Sequence, residues 1–301
     1  MATRYDSRRR GGQDEGWTGP LTLPGRCCRE PWKGFPTVTN HPRAGQPAQP
    51  EDLVDVARLI TDYYTLHPDM SDPAQQVAFG TSGHRGSAAD AAFNDDHIAA
   101  TTQAICDYRT AQGYDGPVFM GRVTHTLSEP AHATALEVLA ANDVRVLIDS
   151  RNSYVPTPAI SLAILEHNAA GGPQADGIVI TPSHNPPRDG GFKYNPPNGG
   201  PADTNVTNWI QDRANDILRA GGAGVSRVSL AKALAADTTG SYDYRTRYVE
   251  ALGSIINMDA VRGVKIGADP LGGASVEYWA AIGEAYNLNL SVVNPLVDAS
   301  F

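Results

Sequence analysis

Residues Thr181-Pro182-Ser183-His184-Asn185-Pro186-Pro187 follow directly on the apolar run Asp176-Gly177-Ile178-Val179-Ile180. That order puts one serine on a loop at the carboxyl end of a predicted strand, where open α/β sheets keep their chemistry. Pro182, Pro186 and Pro187 each fix φ and push the preceding residue towards extended backbone. The loop therefore cannot relax into a helix, and the Ser183 hydroxyl is either a preorganised nucleophile or an idle group on a proline-rich surface turn. A little further on, Asp189-Gly190-Gly191-Phe192-Lys193-Tyr194-Asn195-Pro196-Pro197-Asn198-Gly199-Gly200 supplies a lysine and several glycines whose bare backbone can approach a ligand closely. No G-x-S-x-G elbow surrounds the serine, which argues against a serine hydrolase. Neither a G-x-x-x-x-G-K-[ST] loop nor a dinucleotide fingerprint at a strand end occurs, so nucleotide enzymes are not expected.

The elements that must position this loop are readable from periodicity. Leu53, Val56, Ala57, Ile60 and Tyr64 recur at helical spacing and predict an amphipathic helix ending before Pro68. The glycine-rich segment 79–87 predicts a tight hairpin or loop. Asn94 suits the N-cap of a helix through Ile98, Thr102, Ile105 and Tyr108. Strands and helices then alternate: a strand at 118–120, a helix from a Ser128 cap to Ala141, a strand at 144–148, a helix at 157–167, a strand at 177–180 and a helix at 203–218. Such alternation predicts an α/β fold with a mixed, mainly parallel sheet layered with helices.

At the domain level, residues 1–49 hold Arg8-Arg9-Arg10, glycines and prolines without apolar periodicity, and are expected to be a disordered N-terminal extension. Residues 50–220 form the expected serine-bearing domain, and 221–241 an expected linker with a short helical piece. Residues 242–301 carry a strand at 264–268, a helix at 275–286 and a strand at 288–293. One βαβ unit is little sheet for an independent domain, so an incomplete second α/β domain and a truncated chain are expected.

At 301 residues and 41% hydrophobic content the chain can fill one large core or two ordinary ones. Its net charge of -9 argues against nucleic acid as a partner. Up to Arg43 there are eight Lys/Arg against four Asp/Glu, which leaves -13 for the remainder, so the acidic part is the part expected to fold. Cys27, Cys28 and Cys106 make neither a disulfide framework nor a zinc array. With no apolar stretch of membrane-spanning length and no signal-type h-region, a cytoplasmic protein without membrane partners is expected. Oligomeric state is not legible.

The stretch 180–205 resembles the phosphoserine loop of the α-D-phosphohexomutase superfamily, with the bacterial phosphoglucomutases its nearest match. Further segments that share the resemblance are Phe79-Gly80-Thr81-Ser82-Gly83-His84-Arg85-Gly86, Leu127-Ser128-Glu129-Pro130, and Asp269-Pro270-Leu271-Gly272-Gly273 with Glu277-Tyr278-Trp279. The resemblance implies interconversion of glucose 1-phosphate and glucose 6-phosphate through a phosphorylated serine, with glucose 1,6-bisphosphate as intermediate and Mg2+ as cofactor. It implies Ser183 as phosphoryl acceptor and as metal ligand through its phosphate. Arg85 and His184 become active-site partners of phosphate and sugar oxygens, and Lys193 the general base and acid. Thr81, Ser82, His125 and Asn185 become substrate- or phosphate-binding residues. Two departures stand out. Val123 in Gly121-Arg122-Val123-Thr124-His125 occupies a place where the superfamily usually has an aspartate, and no Asp-x-Asp-x-Asp metal loop occurs in the chain. The chain alone is therefore expected to show negligible mutase turnover, and a non-catalytic remnant of the same fold stands as the alternative.

Overall fold

The computed structural model describes residues 42–47, 49–80 and 83–300. The expected disorder of 1–49 falls largely outside the described residues, and Thr81, Ser82, Cys27 and Cys28 fall outside them entirely. In chain order the elements are α1 (Val56–Thr65), β1 (His84–Ser87), α2 (Asp95–Gln112), β2 (Val118–Arg122), α3 (Ser128–Ala141), β3 (Val146–Asp149), α4 (Thr157–Ala169), β4 (Asp176–Ile180), β5 (Asp189–Asn195), α5 (Thr204–Arg219), α6 (Leu230–Leu234), β6 (Thr239–Tyr242), α7 (Tyr244–Leu252), β7 (Ile266–Ala268), α8 (Val276–Ala285) and β8 (Leu290–Val292).

The layering follows from the central strands. Every residue of β2 and β4 is buried, as expected of strands covered on both faces. Val118, Met120, Ile178 and Ile180 enter one core, closed by α1, α2, α3 and α5, while Phe119 and Val179, one residue out of phase, enter a second core with α4 and Tyr244 of α7. The six-stranded sheet runs β1-β5-β4-β2-β3-β6, with β4, β2, β3 and β6 mutually parallel and β5 and β1 antiparallel to their neighbours. This is the mixed, mainly parallel α/β sheet that the alternation predicts. β7 and β8 form a separate parallel pair.

Local chemistry explains the boundaries of the longest helix. Asn94 sits at the N-cap of α2 in extended conformation, its backbone N–H donating to His97 Nδ1 at 3.2 Å, and Gly113 ends the helix at φ 69°, a conformation glycine adopts without penalty. Three expectations change. Ser128 is the first residue of α3 and Leu127 is its N-cap; the Ser128 hydroxyl faces the Ile180 carbonyl at 3.5 Å instead of capping the helix. Residues 189–195, expected as a ligand loop, are strand β5, because β1 and β4 supply hydrogen-bond partners on both sides. Residues 221–241 do not end the first domain: β6 begins at Thr239 and pairs with β3 from Val146↔Thr239 to Asp149↔Tyr242, so the sheet continues through the end of the expected linker. Tyr244 extends the same unit, its hydroxyl donating to the Leu147 carbonyl at 2.8 Å from a buried position.

Candidate active site

The serine loop leaves the carboxyl end of β4 and returns as β5, so its two ends are clamped by adjacent strands. Ser183 has φ +76°, uncommon for a non-glycine residue. Two contacts hold it there: its backbone N–H donates to Thr181 Oγ1 at 3.0 Å, and the carbonyl of Pro182 accepts from Arg85 Nε at 3.0 Å. The side chain is exposed. Backbone strain of this kind costs on the order of 1–3 kcal/mol and gathers at functional sites. Ser183→Gly should therefore be more stable than Ser183→Ala by about 1 kcal/mol, because only glycine meets no Cβ conflict at positive φ. Paired urea denaturation curves check this, and equal midpoints would show the loop to be unstrained.

Lys193 closes the site from β5. Its Nζ donates to Ser183 Oγ at 2.8 Å. The alternation of β5 makes this possible: Phe192 and Tyr194 are buried in the first core, which turns Lys193 to the other face. Two glycines let the backbones meet. A Cβ on Gly191 would lie 2.3 Å from the Thr181 carbonyl oxygen, and one on Gly83 would lie 2.6 Å from Lys193 Cγ. Desolvation, and then the charge of Arg85, hold the Lys193 ammonium below the ordinary lysine range. A half-buried amine with a lowered proton affinity, in contact with a serine oxygen, can take that oxygen's proton and return it.

His125 does not reach outward. It is 4% exposed, and its Nε2–H donates to the Asn185 carbonyl at 3.0 Å, so it ties the serine loop to the end of β2. Burial also lowers its proton affinity, which keeps the ring neutral. Asn185 is committed within the loop as well, its Nδ2 donating to Asp189 Oδ2 at 2.9 Å. His184 is exposed beside Ser183. Ser183, Lys193, Arg85 and His184 are thus brought together at the loop, while His125 and Asn185 support it.

Val123 is half-buried on the same rim, its N–H donating to the Ile180 carbonyl at 3.1 Å. The preceding Arg122 is buried and engages Glu129, with Nη2 at 3.1 Å from Asn152 Oδ1. Among the described residues no three His, Cys, Asp or Glu side chains converge as a metal site. The hard oxygen ligands that Mg2+ requires are therefore not assembled by these residues. Sequence reasoning missed Thr181, Gly83 and Gly191 as positioning residues. The Thr-Pro-Ser order was a usable signal for the first, since a threonine hydroxyl commonly bonds the backbone two residues on.

The site is thus a proline-stiffened serine at a strand end, touched by Lys193 and flanked by Arg85, on a mixed α/β/α sheet. Residues 76–220 match the family described as phosphoglucomutase/phosphomannomutase, alpha/beta/alpha domain I. The chain is 52% identical over 263 residues to a phosphoglucomutase of Komagataeibacter xylinus, an alignment covering 86% of this chain and 47% of that protein. Two crystal structures share the fold. Paramecium pp63/parafusin, a phosphoglucomutase in open form, has a TM-score of 0.64 at 19% identity, covering 78% of this chain and 45% of that one. A phosphoglucomutase/phosphomannomutase family protein from Burkholderia thailandensis has a TM-score of 0.51 at 21% identity, covering 73% and 44%. The chain spans about half the length of these relatives.

Proposed function

We propose that the protein takes part in interconverting glucose 1-phosphate and glucose 6-phosphate, with Ser183 carrying the phosphoryl group and glucose 1,6-bisphosphate as the intermediate. The 2.8 Å contact between Lys193 Nζ and Ser183 Oγ carries this reading. When Ser183 attacks a sugar bisphosphate, its oxygen forms the new O–P bond, the P–O bond to the sugar breaks, and the Ser183 proton passes to Lys193 and on to the departing sugar oxygen. In the reverse direction the sugar hydroxyl oxygen forms the new O–P bond, its proton passes to Lys193, and Lys193 hands a proton to Ser183 Oγ as the O–P bond there breaks. Arg85 lies close enough to lower the proton affinity of Lys193, and its planar guanidinium suits the equatorial phosphate oxygens. A name of relatives also bears on location: an Arabidopsis thaliana protein 38% identical over 94 residues is called a probable cytoplasmic phosphoglucomutase. No described helix is long and apolar enough to cross a membrane.

The discriminating experiment is discharge. Protein carrying radiolabelled phosphate on Ser183 should pass it to glucose 1-phosphate or glucose 6-phosphate, giving labelled glucose 1,6-bisphosphate, faster than to water or to unphosphorylated glucose. Label released only to water, or retained with every acceptor, would favour a phosphate-holding remnant over a mutase.

A further inference from the structure

The glycines that let the serine loop lie on β5 create a problem that the strand must solve elsewhere. β5 opens Asp189-Gly190-Gly191, and its outer neighbour β1 contains Gly86 opposite Gly190. Glycine-rich strands specify their register weakly, and a slip of one residue turns every side chain to the other face. Such a slip would carry Lys193 away from Ser183 and expose Tyr194. Something must pin the pairing of Val179 with Lys193 and Ile178 with Tyr194.

We propose that the buried trio Arg109, Asp176 and Tyr194 is the positioning device that fixes this register and so holds Lys193 at Ser183. Asp176 is the first residue of β4, Tyr194 follows Lys193 in β5, and Arg109 comes from α2; they are 0%, 1% and 4% exposed. The Tyr194 hydroxyl donates to Asp176 Oδ2 at 2.6 Å, which ties β5 to β4 diagonally, beyond the Ile178 pair. Arg109 Nη1 pairs with Asp176 Oδ1. Its Nη2 donates to the carbonyls of Tyr114 at 3.2 Å and Gly116 at 2.5 Å, anchoring the guanidinium to the turn that leads into β2. Asp176 is thereby matched on both oxygens. In a shifted register Tyr194 would leave a fully buried carboxylate oxygen without its donor, a state that buried polar groups avoid. Burial raises the proton affinity of the Tyr194 hydroxyl far above its ordinary range, so it remains a donor. None of the three touches Ser183 or would touch a substrate; they act through the strand.

The role assigned to the trio rests on Ser183 being phosphorylated, and the test separates the two ideas. Tyr194→Phe is compared with Tyr63→Phe, which removes a similar buried hydroxyl contact, to Thr134 Oγ1 at 3.0 Å, from the same core but far along the chain from β5. Two quantities are read well below the melting midpoint. One is Ser183 phosphorylation by glucose 1,6-bisphosphate, split into maximal rate and half-saturating concentration. The other is amide hydrogen exchange along β4 and β5. Tyr194→Phe should lower the maximal rate at least tenfold with an unchanged half-saturating concentration, and should speed exchange in β5 at least tenfold. Tyr63→Phe should lower the melting midpoint and change neither. If Tyr194→Phe behaves as Tyr63→Phe does, the proposal is overturned. If the parent chain accepts no phosphate, the functional reading fails and β5 exchange alone decides the register claim. Should Tyr194→Phe not fold, Asp176→Asn, which keeps the side chain's shape but cannot satisfy both donors, is judged on the same measurements.

Discussion

Lys193→Ala should slow phosphorylation of Ser183 by roughly 10²–10⁴, the usual contribution of a positioned proton-transfer group. Lys193→Arg should not restore the rate, because a guanidinium stays protonated and cannot take the serine proton. The pH dependence gives a sharper sign. Lysine ordinarily titrates near 10.4, and burial with Arg85 nearby places the proton affinity of Lys193 lower. The neutral, proton-accepting form therefore accumulates as pH rises through a midpoint below the free-lysine value. The rate should climb along that limb in the parent chain and lose the limb in Lys193→Ala. Single-turnover loading across pH 6–10, within the ordinary range of lysine and histidine titration, checks both. A slow but pH-parallel variant would leave Lys193 only an electrostatic role.

Folding stability should fall steeply below neutral pH, an effect nearly as large. His84 and His132 are buried, and both have proton affinities lowered to about 3. Burial is the first cause for each, followed by the charge of His97 for the former and of Arg122 for the latter. In the unfolded chain a histidine titrates near 6.5. Between those values the unfolded state binds protons that the folded state refuses. The stabilisation is therefore complete above about pH 6.5 and drains as pH falls towards 3. Each histidine contributes a slope of about 1.4 kcal/mol per pH unit, so the pair should remove roughly 4 kcal/mol between pH 7 and pH 5. His97 and His125 are lowered in the same direction. Urea unfolding at the two pH values measures the loss, and His132→Leu should reduce the slope by about one histidine's share. Equal stability at pH 7 and pH 5 would mean that these rings take up protons in the folded state at little cost.

The site was legible where local chemistry decides structure and opaque where the fold brings distant residues together. Pro182, Pro186 and Pro187 act on their own neighbours, so the stiff loop after β4 could be read directly. Asn94 and the apolar spacing of α2 likewise act within a few residues. β5 could not be read, because Gly190-Gly191 and Pro196-Pro197 look like loop; the strand exists because β1 and β4 flank it. β6 was hidden for a similar reason: Thr239-Gly240-Ser241-Tyr242 has little apolar alternation, and its hydrogen bonds go to β3, distant in sequence. The tie from the His125 ring to the Asn185 carbonyl, 60 residues away, is likewise invisible in the local motif. The Arg109–Asp176 pair spans 67 residues and leaves no mark in either local sequence.

Phosphopeptide mapping after incubation with glucose 1,6-bisphosphate tests the central claim most directly. The strained, exposed Ser183 in contact with Lys193 should be the residue that gains phosphate, and Ser183→Ala should gain none. Phosphate on other serines with Ser183 unmodified, or equal labelling of Ser183→Ala, would contradict it.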